Sequence, residues 1–147
     1  MRMITRSALL LAVALLVVGC GSNISPDVTG NWTATDTSTQ TGQAQTFTFS
    51  MQEGSFNGIT SPVTFSGLPF QSPNCFDNTA SVAGAITPGT PRTMAIDIFS
   101  LPNDSGNHAS LSLTIASDNN SATGTYALNG GLNGCGFDQG NVTFARQ

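Results

Sequence analysis

The chain has 147 residues, a formal net charge of −4 and only 8% charged side chains. Ser, Thr, Asn and Gly supply 16, 19, 12 and 16 residues and Lys is absent, which argues against a helical bundle drawing on Glu, Lys, Leu and Ala. Hydrophobic residues at 39% argue against charge-driven disorder, and four basic residues (Arg2, Arg6, Arg92 and Arg146) are too few for a nucleic-acid-binding patch.

The chain opens with a pattern of export. Arg2 and Arg6 form a basic start, and residues 8–18 are an apolar run of signal-peptide length, too short to span a bilayer. Val17-Val18-Gly19-Cys20 resembles a bacterial lipobox. That resemblance implies cleavage before Cys20 and a diacylglyceryl group on its thiol. Residues 1–19 are then the signal peptide, 20–29 the lipidated Cys and a tether, and 30–147 one domain. Two or more acyl chains hold a protein stably on a membrane. The expected location is the bacterial cell envelope. Gly21, where an Asp would suggest inner-membrane retention, favours the outer membrane by the same resemblance.

With Cys20 lipidated, Cys75 and Cys135 are left as an even pair in an oxidising compartment, which reads as a disulfide. Both have loop contexts: Ser72-Pro73-Asn74 precedes Cys75, and Gly134 and Gly136 flank Cys135. Two cysteines without a second pair or a clustered His are a weak zinc signal, so no metal or cofactor is expected.

Beyond the tether, Gly, Pro, Asn and Asp clusters divide the chain into short runs of period-two alternation, the pattern of strands with one buried face. The first run is 31–37, with Trp32 and Ala34 on one face; the second, 45–53, aligns Phe47, Phe49 and Met51. A third covers 56–65, with a break expected at Pro62, which cannot donate to a ladder. A short turn is expected near 68–74. The fourth run, 79–87, aligns Val82, Gly84 and Ile86; the fifth, 92–99, aligns Met94, Ile96 and Ile98 and turns Asp97 outward. The sixth, 109–117, aligns Leu111, Leu113 and Ile115. Asp118-Asn119-Asn120-Ser121 reads as a tight hairpin, since Asn tolerates positive φ. The seventh run is 122–128, with Tyr126 and Leu128 aligned. Residues 129–136 are a Gly-rich connection that Cys135 would pin, and the eighth run, 141–146, aligns Val142 and Phe144.

Eight such strands predict an all-β fold. An antiparallel up-and-down barrel of about eight strands is favoured because closure removes exposed edges; a β-sandwich is the alternative. Gly30-Asn31-Trp32 at the first strand resembles the G-x-W motif of lipocalins and the wider calycin group. The layout, with its lipobox and two late cysteines, resembles small bacterial lipocalin-like lipoproteins. The resemblance implies that Trp32 closes one barrel end, with Arg146 of the last strand packed on its ring, a contact contributing roughly 0.5–2 kcal/mol.

Catalytic signals are sparse. Asp104-Ser105-Gly106-Asn107-His108 holds an acid, a hydroxyl and the one imidazole, but a five-residue loop rarely sets nucleophile, base and oxyanion hole in contact. The remaining carboxylates form no calcium loop, and no glycine-rich phosphate loop is present. The expectation is a non-enzymatic, membrane-anchored lipoprotein of structural or surface-interaction type. The alternative is a lipocalin-like carrier of a small apolar ligand. Nine phenylalanines could fill the interior or line a pocket in it.

Overall fold

The computed structural model describes residues 27–72, 75–77, 79–100, 106–131 and 134–147. Eight strands run in chain order: β1 (Gly30–Ser38), β2 (Ala44–Glu53), β3 (Ser61–Ser66), β4 (Ser81–Thr87), β5 (Thr93–Phe99), β6 (His108–Ile115), β7 (Ser121–Asn129) and β8 (Asp138–Arg146). Each pairs antiparallel with its sequence neighbour, and β8 pairs with β1, so the sheet is a closed up-and-down barrel. Closure sets aside the sandwich alternative.

Alternation creates the inside. Trp32, Ala34, Phe47, Phe49, Met51, Ile86, Met94, Ile96, Ile98, Leu111, Leu113, Leu128, Val142 and Phe144 are buried, while Thr and Ser fill most intervening positions. Burying a large apolar side chain contributes about 1.5–3 kcal/mol, so this inner face is the main stabilising feature. Phe49 is its aromatic hub, with ring centroids 4.9 Å from Phe144 and 6.2 Å from Phe65. Phe65 lies over Gly84, where a Cβ would come within 2.6 Å of the ring. Glycine at 84 therefore makes room for an aromatic on the adjacent strand.

Several boundaries differ from the sequence reading. The third strand begins at Ser61, not at 56, and Pro62 lies inside it. The proline is tolerated because its carbonyl still accepts from Gly54 N at 2.8 Å, although its nitrogen has no hydrogen to donate. Residues 54–60 instead form a loop around Asn57, whose Oδ1 accepts from Ile59 N and Thr60 N at 3.0 and 2.9 Å. The fourth strand starts at Ser81, after the Asp77 carboxylate has tied back Thr79. The sixth begins at His108 and ends at Ile115, and the eighth begins three residues early, at Asp138.

The barrel has two differently built ends. The base gathers residues 27–29, the loops 54–60 and 88–92, the turn 116–120 and the end of β8. The crown gathers the turn 39–43 and the β3–β4, β5–β6 and β7–β8 connections. Asn119, at φ 55°, is the non-glycine residue with positive φ in the described backbone, and it sits in the hairpin between β6 and β7.

Candidate functional site

At the base, residues 27–29 cross the mouth of the barrel as a strap. Trp32 is fully buried beneath it and donates from Nε1 to Val28 O at 2.9 Å. Glu53, at the end of β2, accepts from Val28 N through Oε2, and its own N–H donates to Thr29 Oγ1 at 3.0 Å. The same carboxylate pairs through Oε1 with Arg92 at 2.5 Å, with both side chains largely buried. Arg92 also donates from Nη1 to Asn119 Oδ1 at 2.8 Å. Glu53 thus joins the strap to the loop 88–92, and Arg92 joins that loop to the β6–β7 turn.

Arg146 is the register partner of Trp32 on the seam between β1 and β8. It is exposed, and its guanidinium donates to Asp27 O at 3.2 Å and to Thr29 O. The two residues are neighbours, and the arginine's hydrogen bonds go to the backbone of the strap.

The crown holds the covalent link. Cys75 and Cys135 form a disulfide with Cα atoms 4.9 Å apart, both nearly buried. It joins the β3–β4 connection to the β7–β8 connection. Asn107, only 1% exposed, reaches both: Nδ2 donates to Cys75 O and Oδ1 accepts from Gly131 N, each at 3.1 Å. In the sequence Asn107 stands out only as a member of the weak catalytic string 104–108. Its position three residues after an Asp and before a strand carried no sign of this bridging role.

Beneath the crown, the inner face turns polar. Ser38 Oγ and Tyr126 OH each donate to Asp138 at 2.7 Å, one to each carboxylate oxygen. Tyr126 reaches Asp138 because its ring lies across Gly140, where a Cβ would come within 2.7 Å of Cε1. Phe70 covers the tyrosine, with ring centroids 4.6 Å apart. Burial and the adjacent Asp138 carboxylate push the Tyr126 hydroxyl above its usual range.

Asp36 lies in this region, 3% exposed, and its Oδ1 has no hydrogen-bond partner among the described residues. Burial, with a smaller contribution from Asp138, pushes its carboxyl up to about 6. Sequence reasoning missed this residue as a site. Its signal was available: Asp36 shares the inward parity of Trp32 and Ala34 in an alternating run.

The outer wall carries the histidine. His108 Nε2 lies 2.9 Å from Asp97 Oδ1, and its ring stacks on Phe99 with centroids 4.5 Å apart. Asp97 faces outward, as alternation predicts. Asp104 and Ser105 lie outside the described residues, so the Asp–Ser–His string yields no described constellation. Cys20 lies outside them as well, as does the apolar run before it. Among the described residues, no three His, Cys, Asp or Glu side chains stand together as a metal site.

Two sizeable clefts open to solvent lie among the described residues. One of about 590 Å³ runs along the outer wall past Asp97, Ser110, Thr125 and Asn141. Another, about 550 Å³, lies at the base between Phe56, Ile86, Pro88 and the Glu53–Arg92 pair. The architecture is compatible with a lipocalin-like fold. Comparison finds no matching family model, no matching curated protein and no matching solved structure.

Proposed function

We propose that this chain is a bacterial lipoprotein, anchored in the cell envelope by lipid on Cys20, whose barrel is a non-enzymatic structural or surface-interaction module. The observation that carries the non-carrier part is the inner face. From Trp32 at the base to Tyr126 below the crown, the inward side chains are buried in one apolar cluster, which favours an interior filled by the protein itself over one kept open for a ligand. A strap seals the base, and a disulfide with Asn107 and Phe70 ties the crown. Ligand pockets in barrels are largely pre-formed, apolar and concave. The clefts described here lie on the outside and at the rim.

The anchor rests on the sequence: basic start, apolar run and Val17-Val18-Gly19-Cys20. By the lipobox resemblance the outer membrane is the favoured destination. Acyl anchoring requires no help from the barrel, since two chains suffice.

Two measurements test the reading. Cys20→Ser should move the protein from the membrane to the soluble fraction; retention after detergent-free washing would refute the anchor. Native mass spectrometry and displacement of a fluorescent apolar probe test the barrel. Saturable displacement by lipids or pigments would favour the carrier instead.

A further inference from the structure

We infer that the base of the barrel is a membrane-contact surface, with Phe56 and Ile59 inserting into the lipid interface beside the anchor. The inference rests on the lipoprotein reading and adds an orientation to it. Phe56 and Ile59 are 56% and 78% exposed, and both project from the single loop 54–60. Isolated exposed apolar residues are ordinary. Here two large ones share a short loop held in a defined shape. Asn57 Oδ1 accepts from the N–H groups of Ile59 and Thr60, Asn57 N donates to Thr60 O, and Gly54 N donates to Pro62 O. Such a loop has already lost most of the entropy that insertion would otherwise cost.

Position supplies the occupant. The described chain begins at Asp27, at this same end of the barrel, so the proposed anchor at Cys20 is connected here. A tether of that length reaches at most about 25 Å when fully extended. The base therefore stays within one tether length of the lipid, while the crown lies a further strand length away. Charge does not drive the contact, since the carboxylates of Asp27 and Asp118 are exposed at this end. The cations at this end are already engaged, Arg92 with Glu53 and Arg146 with the carbonyls of Asp27 and Thr29. Contact with lipid then depends on apolar side chains and not on anionic headgroups.

The test uses the mature chain purified from its own membrane and reconstituted in phosphatidylcholine vesicles with brominated acyl chains. Phe56→Trp and, separately, Ile59→Trp should show blue-shifted indole emission that is lost to bromine quenching. Phe137→Trp, an equally exposed aromatic at the crown, should remain unquenched; the wild-type protein supplies the baseline of buried Trp32. Equal quenching at 56, 59 and 137, or none at any of them, overturns the inference. Intact mass reads the anchor independently. Lipid on Cys20 without selective quenching leaves the anchor and removes the contact surface. Absence of lipid removes the anchor, and the contact surface then survives only if the unlipidated chain, added to the same vesicles, is still quenched at 56 and 59.

Discussion

Trp32 and Arg146 stand opposite each other on the seam that closes the barrel, one sealed from solvent and the other exposed to it. Partners across a ladder point to the same side of the sheet. The tryptophan therefore points into the barrel, and the arginine, on the same face but at the very end of β8, reaches over the rim. There it holds the carbonyls of Asp27 and Thr29, while the indole holds that of Val28. Both residues fasten one strap.

Arg146→Ala should therefore loosen the strap without dismantling the barrel. Hydrogen bonds from a charged group contribute about 1.5–3 kcal/mol when sheltered, and exposure reduces that to about 1 kcal/mol here. The expected outcome is a lower denaturant midpoint at unchanged slope, together with a red shift of Trp32 emission as water gains access. Trp32→Ala should cost about 3–5 kcal/mol, because it leaves a large hole beneath the strap. Equal losses for the two variants would contradict this division of roles.

The barrel was legible in the sequence because its signal is local. Polar or small residues alternate with apolar ones in seven of the runs closely enough to place strands, and Asn119 marks its hairpin. Closure was inferred from the need to cover edges, and the β1–β8 register realises it. The third strand was misplaced because Phe56 and Ile59 looked like strand residues. Nothing local showed that Asn57 would bend them into a loop. The Cys75–Cys135 pairing followed from compartment and parity. Asn107 and the cluster of Ser38, Tyr126 and Asp138 were not legible as sites, since their partners come from strands and loops distant in sequence, whereas the inward parity of Asp36 could be read from its own run.

The disulfide should matter more than any single crown hydrogen bond. It closes a separation of 60 residues, for which loop-closure entropy gives about 4 kcal/mol. The Cys75→Ser, Cys135→Ser double variant should lose a few kcal/mol in equilibrium unfolding. Asn107→Ala should lose about 1–3 kcal/mol, since Cys75 O and Gly131 N each lose a partner. If the double variant unfolds at the wild-type midpoint, the bridge is not a stabilising element.

Tyr126→Phe isolates one contact in the polar cluster. Asp138 would lose the 2.7 Å hydrogen bond from the tyrosine and keep the one from Ser38. The ring contact with Phe70 would remain. A loss of about 1 kcal/mol is expected, against about 3–5 kcal/mol for Tyr126→Ala, which also opens space beneath Phe70. Chemical unfolding of both variants at one pH checks the ratio.

Asp36 should make the barrel less stable as pH rises. Its carboxyl is held up to about 6 in the folded chain, from an ordinary 3.8. Between those values the folded state binds more protons than the unfolded state, so stability declines with increasing pH and levels off above the folded value. The whole effect is about 3 kcal/mol at most, spread over roughly pH 4 to 7. Asp36→Asn removes the charge while keeping the size. The variant should unfold at a higher denaturant concentration than the wild type at pH 8, and its advantage should shrink toward pH 4. Midpoints measured at pH 4, 6 and 8 decide the matter. An advantage that is constant across the series, or largest at pH 4, would show that Asp36 does not carry the buried charge assigned to it.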